Sequence, residues 1–336
     1  MATVTALSTS FDVHGLRIRV RGDWPEVVEA LRLDFAWFQR PVEDDAPDVE
    51  VAVTRGPPGF DAFGEVPATF VTPRNVVYDA PGRKVVDYFG RALSVVDRST
   101  GHVTVQGEDR QLVHEAAYQF LLSRIGVHLD ARGFTRLHAL GLAGQKGAVA
   151  VMLPSGGGKS TLVLRALRDE RVRLLSEDTP LLDRAGRLHP FPLRIGVNAT
   201  DADALPEDAV RRIERMELHP KLALELDAFA DRIEPAAVPL RHLVVGVRSL
   251  GRNARLQSVP RTAAIGPLLR EAVVGVGVYQ GMEFVLQRGM RDVLGKLGVV
   301  TGRTLACARA LPSVQVWSLV LGRDRERNWA ALSPLL

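Results

Sequence analysis

An α/β fold preceded by a smaller α+β region is the fold class that this sequence predicts, and three observations carry the expectation. From residue 134 the pattern runs strand, loop, helix, strand, through "RLHALGLAG", "GAVAVMLP", "KSTLVLRALRDE" and "RVRLLS". Over the first hundred residues apolar and polar positions instead alternate with the period of two that strands impose. Between the two regions lies a long helical pattern, 108–133, and a domain boundary is placed near residue 110.

In the N-terminal region the expected strands are "LRIRVRG" (16–22), "DVEVAVTR" (48–55), "NVVYDA" (75–80) and the stretch "RALSVVDRSTGHVTVQG" (91–107). They predict a mostly antiparallel sheet. One helix interrupts it: Asp23 and Glu26 in "DWPE" have capping-box spacing, and Val27, Leu31, Phe35 and Phe38 follow at helical intervals. That helix is expected to cover one face of the sheet. The stretch "RGPPGFDAFGEVP" (55–67) reads as a Gly/Pro-rich loop. In "EDRQLVHEAAYQFLLSRIGVHLDARG" the terminal Gly133 suits a helix C-cap. Residues 1–110 thus form an α+β domain suited to substrate recognition or to a structural role, and 111–336 form the second domain. Its later part is expected to add a strand in "RHLVVGVRSL", helices around "AIGPLLREAV" and "MRDVLGKL", a strand in "VQVWSLVLG" and a last helix from Asp324. These complete the core without recognisable chemistry.

Composition narrows the classes of function. With 336 residues, 46% of them hydrophobic, the chain can bury a substantial core. Its 43 basic and 39 acidic residues are spread along the whole length, so no nucleic-acid footprint is expected. A single cysteine excludes an internal disulfide framework, and the opening residues lack a signal-peptide layout. A reducing cytoplasm is the expected compartment. The apolar runs are far shorter than the roughly 20 residues of a membrane helix, so no membrane partner is expected.

The chemistry is concentrated at "MLPSGGGKST", residues 152–161. Gly158, Lys159 and Ser160 match the end of the phosphate-loop (Walker A) pattern G-x-x-x-x-G-K-[ST], whereas Leu153 stands at its first glycine. Ser155, Gly156, Gly157, Gly158, Lys159, Ser160 and Thr161 are the candidate nucleotide-binding residues. Glycines let backbone N–H groups turn toward a phosphate, the following helix begins with its positive end there, and Lys159 adds a point charge for the β- and γ-phosphates. Ser160 is expected to place its hydroxyl on magnesium. The cofactors implied are ATP and Mg²⁺.

Glu177 and Asp178 follow "VRLLS", a strand expected to run parallel to the one before the loop. Ligands of open α/β sheets sit beyond the carboxyl ends of strands, which brings this acidic pair beside the loop. The expected division of labour has Asp178 and Ser160 hold magnesium while Glu177 accepts the proton of an attacking hydroxyl. His138 is a candidate catalytic residue near the γ-phosphate, and Arg194 and Lys221 are weaker candidates for neutralising the transferred charge. No histidine or cysteine spacing suits a zinc site.

Four features in order, "RLHALGL", "PSGGGKST", "SED" and "LHPFPLRIGV", resemble the HPr kinase/phosphorylase group, whose fold is shared with phosphoenolpyruvate carboxykinase. The resemblance covers about residues 134–200. It implies a P-loop kinase core, with an active site carried over to His138, Lys159, Ser160, Glu177 and Asp178. Glu177 stands where the family has aspartate, and one extra residue separates loop and pair. The family's ExRGxG-type signature, associated with the phosphorylase direction, is missing from "PFPLRIGVNAT". The pattern is most similar to the HPr-kinase-related serine kinases found beside ribosomal-peptide biosynthesis genes. The resemblance therefore implies a kinase without phosphorylase activity, acting on a serine-type hydroxyl of a peptide or small protein, and a homo-oligomer. A nucleotide-binding regulatory module without catalysis and a small-molecule kinase are the alternatives. A transport ATPase is disfavoured, because no LSGGQ-like signature is present.

Overall fold

Pro25 pre-sets the first turn of helix α1 (Pro25–Asp34), and Val27, Val28 and Leu31 on its inner face are fully buried. Burying such side chains stabilises by roughly 1.5–3 kcal/mol each. In this computed structural model, which describes residues 7–42, 45–154, 156–197, 205, 209–213, 221–274 and 290–336 (for Lys221, Val274 and 290–296 the backbone alone), the chain is mixed α/β with large mixed sheets. It divides into two units, residues 1–128 with 211–222 and residues 129–210 with 223–336.

The first unit is built on one sheet. Strands β1 (Leu7–Val13), β2 (Leu16–Gly22), β3 (Gln39–Arg40), β4 (Val49–Arg55), β5 (Ala68–Val71), β6 (Val76–Ala80), β7 (Arg83–Asp87), β8 (Ala92–Asp97) and β9 (Val103–Gly107) lie in the order β3-β1-β2-β4-β9-β8-β7-β6-β5. α1 packs on β1 and β2. Two pairings depart from the antiparallel expectation: β2 with β4 and β4 with β9 are parallel. Both connections are crossovers, the first through α1 and the second through the meander β5 to β8, and parallel neighbours require such long returns. The capping box does not form either. Trp24 is the N-cap without a side-chain bond, and Asp23 instead accepts the Arg55 backbone N–H at 2.9 Å, tying the turn to β4. Helix α2 (Arg110–Ala131) buries Leu112, Val113, Ala116, Ala117, Leu121, Ile125 and Leu129, spaced for one helical face. It ends as expected, with Gly133 N–H and Phe134 N–H returning to Asp130 O and Leu129 O.

In the second unit, β10 (Thr135–Arg136), β11 (Leu140–Gly144) and β12 (Gly147–Met152) precede helix α3 (Lys159–Ala166), followed by β13 (Arg173–Ser176), β14 (Leu181–Leu182) and β15 (Arg187–His189). Short strand β16 (Ile195–Val197) comes next in this unit; β17 (Val210–Ile213) and β18 (Lys221–Leu224) each have residues in both units, and β19 (Val238–Arg248) and β20 (Arg255–Val259) return to the second. Helix α4 (Ile265–Leu268) continues as a π-helix over Leu269–Val274, and α5 (Met290–Ala310), β21 (Gln315–Leu321) and α6 (Arg325–Leu332) end the chain. Asp324 caps α6 by accepting the Arg327 N–H. Strand β12 is central, buried on both faces from Ala148 to Met152, and pairs in parallel with β19, which pairs in parallel with β21.

The strand "VRLLS" runs in the same direction as β12 but is not its neighbour. A tight hairpin lays β11 antiparallel against β12, and β13 pairs antiparallel with the other edge of β11. Consequently the carboxyl ends of β12, β13, β19 and β21 and the amino end of β11 share one edge of the sheet. Among the described residues, no helix is long and apolar enough to cross a membrane.

Candidate phosphate-binding site

At that edge β12 runs out through buried Leu153 into the glycine loop. Gly157 N–H donates to Pro154 O at 2.8 Å, closing a turn, and a methyl on Gly157 would stand 2.7 Å from the same oxygen. Gly158, at φ +109°, is the N-cap of α3, a backbone state that favours glycine, and its carbonyl accepts Leu162 N–H. Gly156 also lies in the loop, and Ser155 lies outside the described residues. Thr161 is half-buried in the first turn of α3.

Lys159 opens the helix and turns inward, with only 7% of the residue exposed. A buried ammonium is costly unless it is paired and hydrogen-bonded. Here Nζ donates to Leu153 O at 3.0 Å, and it lies 2.9 Å from His138 Nε2 and 3.1 Å from Asp178 Oδ1. The same carboxylate oxygen is 3.2 Å from His138 Nε2, so the three side chains meet at one point. Ser160, next on the helix, faces Glu177 and donates to its Oε1 at 2.8 Å. Thus the consecutive residues Glu177 and Asp178 serve different partners, Ser160 for the first and the Lys159–His138 pair for the second.

His138 reaches this point because its backbone is held from two sides. Leu137 N–H and Ala139 N–H donate to Pro180 O and Asp178 O, across a close approach that Gly141 permits, since a methyl there would lie 2.7 Å from Pro180 Cβ. From the other side, His138 N–H donates to Glu271 O at 2.9 Å, and Glu271 Oε2 is 2.6 Å from His138 Nδ1. Arg270 Nε donates to the second Glu271 oxygen at 2.6 Å. On the rim, Arg248 at the end of β19 is exposed, with Nη1 3.5 Å from Gly156 O.

The electrostatics follow from these contacts. Burial pushes the Asp178 carboxyl up, but the His138 hydrogen bond and the Lys159 charge outweigh it and hold the group down at about 2. His138 moves the other way: its hydrogen bond to Asp178 raises it, against burial and the Lys159 charge, with Glu271 adding to the rise.

Among the described residues, no group of three or more His, Cys, Asp or Glu gathers to hold a metal ion. Magnesium asks for less, because it is usually bound by one or two carboxylates and keeps waters and substrate oxygens for the rest. The Ser160 hydroxyl with Glu177, and the Asp178 carboxylate beside them, are hard oxygen donors that fit it.

All the described candidates of the loop and the acidic pair therefore share this edge, together with His138. Arg194 is half-buried between β15 and β16, and the Lys221 side chain lies outside what is described. Two residues at the site come from the segment read as devoid of chemistry. Glu271 sits in "LLREAV" and Arg248 in "VVGVRSL", and neither belongs to a spacing pattern that marks it. Two surface clefts of about 580 and 510 Å³ lie elsewhere, lined by residues such as Arg241 and His242 in one and Arg168 and Trp329 in the other, and share no residue with the site. The chain matches no protein-family model, and a search of curated proteins finds no match.

Proposed function

We propose that the second unit is an ATP-dependent kinase of the HPr kinase-like P-loop type, which transfers the γ-phosphoryl group to a serine-type hydroxyl of a peptide or small protein and lacks phosphorylase activity. The observation that carries this reading is the meeting of the loop lysine, Lys159, with Asp178 and His138 at the carboxyl edge of a sheet, 2.9–3.2 Å apart. Each group has a task that phosphoryl transfer requires. The loop amides and the start of α3 receive the phosphates. Lys159 exchanges Asp178 for the β- and γ-phosphate oxygens, the stronger anions, and Arg248 approaches from the rim.

The contacts support a division of the acidic pair opposite to the one expected from sequence. Ser160 already shares a hydrogen bond with Glu177, so these two oxygens are the better magnesium donors, and the longer glutamate supplies the reach. Bound there, magnesium neutralises charge on the phosphates. Asp178 is then the base. Paired with Lys159 it is a weak one, and loss of that partner to the nucleotide removes one of the charges holding its carboxyl down. The acceptor hydroxyl gives its proton to Asp178 Oδ1 as its oxygen bonds the γ-phosphorus, and the bond from that phosphorus to the β-phosphate oxygen breaks, leaving the diphosphate.

The test is calorimetric titration with Mg-ATP, followed by transfer from γ-labelled ATP to serine-containing peptides. Binding together with label on a seryl oxygen supports the kinase. Binding without transfer to any peptide or to water favours a regulatory nucleotide module, and label on a small molecule alone favours a small-molecule kinase.

A further inference from the structure

We infer that Glu271 is a positioning residue that keeps the proton of neutral His138 on Nδ1 and so presents a bare Nε2 to accept from Lys159, whose ammonium also reaches Asp178. Its importance for turnover rests on the kinase reading above; its hold on the ring does not.

The inference follows from what each partner can donate. A carboxylate only accepts, so at 2.6 Å from Glu271 Oε2 the Nδ1 atom must be the donor. An ammonium only donates, so at 2.9 Å from Lys159 Nζ the Nε2 atom of a neutral ring must be the acceptor. One tautomer of the neutral ring satisfies both, and Asp178 Oδ1, 3.2 Å from the same Nε2, is then served by the Lys159 ammonium 3.1 Å away; only the charged ring donates to it through Nε2–H. Glu271 is suited to this task in three further ways. The residue is 8% exposed, so water competes little for its oxygens. Arg270 donates to its outer oxygen and balances its charge. Its own carbonyl accepts His138 N–H, so that main chain and side chain of one residue grip main chain and side chain of the other. The charged groups facing the ring are thus Asp178 and Lys159 at Nε2 and Glu271, backed by Arg270, at Nδ1. A buried carboxylate that fixes a histidine tautomer is the device of hydrolase triads, where it orients the ring without reacting itself. Glu271 also lies on the π-helical turn Leu269–Val274, a rare geometry that recurs at functional sites.

The experiment uses the full chain with ¹⁵N-labelled histidine, at a pH alkaline enough to keep the ring neutral, with the His138 signals assigned by their loss in His138→Gln. The expected result is a proton on Nδ1 in the parent and a population of the Nε2–H form in Glu271→Ala. A parent ring protonated on Nε2, or identical tautomer populations in parent and variant, would overturn the inference. In parallel, Mg-ATP affinity is measured by calorimetry and turnover as Mg-ATP hydrolysis. Glu271→Ala should lose roughly 10–100-fold in turnover, the usual cost of removing a supporting hydrogen-bond partner, with affinity within about twofold of the parent. Glu271→Gln, whose amide oxygen can still accept from Nδ1, should recover part of the turnover and guards against a variant that fails to fold. Affinity and turnover falling together in both variants would make Glu271 a packing residue and sink the proposal. A parent that neither binds nor hydrolyses Mg-ATP would overturn the kinase reading and the effect on turnover, while the tautomer measurement decides the hold on the ring independently.

Discussion

Ser160 donates its hydroxyl proton to Glu177 Oε1 at 2.8 Å, while the neighbouring carboxylate of Asp178 turns to Lys159 and His138. Two acidic residues adjacent in sequence therefore meet different loop partners, the Ser160 hydroxyl for one and the buried Lys159 ammonium for the other.

This separation predicts different failures when each is neutralised. Glu177→Gln is expected to weaken the magnesium dependence of nucleotide binding, because it removes a charged oxygen from a hard cation. Asp178→Asn is expected to leave Mg-ATP affinity close to that of the parent and to lower transfer by roughly 10²–10⁴-fold, the worth of a positioned base. Titrations of nucleotide at several magnesium concentrations, with turnover measured alongside, decide between this assignment and its reverse.

Lys159→Ala should fold, because the Asp178 side chain is 45% exposed and can be rehydrated when its cation is lost. Transfer should fall by at least roughly 10²-fold, as for loss of one group that stabilises transition-state charge. Circular dichroism checks the first expectation and γ-label transfer the second; full activity in the variant would remove the phosphate-loop reading.

Gly157→Ala tests the loop without touching a charge. The added methyl meets Pro154 O at 2.7 Å, and strain of this kind costs roughly 1–3 kcal/mol. Since 1.4 kcal/mol is about tenfold in a binding constant, Mg-ATP affinity should fall by about that factor or more. The thermal midpoint without nucleotide should fall as well, because Gly157 is buried and the clash is with backbone. Comparison of melting curves with and without Mg-ATP provides the measurement; in the parent, saturation at 100 times the dissociation constant should add about 2.7 kcal/mol of stability.

The pH dependence of stability has a definite sign at each end. Asp178 is held at about 2, below its ordinary 3.8, so its contribution is present above pH 3.8 and is lost as pH falls toward 2. His138 is raised above 6.5, so the stability from its charged form is complete below pH 6.5 and is lost as pH rises through the raised value. Urea midpoints measured across both windows should flatten at the acid end in Asp178→Asn and at the alkaline end in His138→Gln. Unchanged slopes would mean that these contacts are not held in solution.

Much of the local structure was legible in the sequence, because it depends on neighbours a few residues away. The glycine loop between a buried strand and a helix, the end of α2 at Gly133 and the Asp324 cap of α6 are set by backbone preferences and by the period of apolar residues. The capping box at Asp23 shows the limit of such signals. The pattern is there, yet Arg55 N–H on β4 takes the aspartate, since a backbone donor on a paired strand is already fixed in place. By itself, then, the sequence determined an α/β chain, the loop "PSGGGKST" and an acidic pair after the next strand. Tertiary structure alone decided that β11 intervenes between β12 and β13, that Ser160 meets Glu177 instead of Asp178, and that Glu271, 133 residues away, grips His138. The physical reason is range: strand order and side-chain partnership arise from pairing and packing between segments distant in the chain, and no local period or propensity encodes which of them will meet.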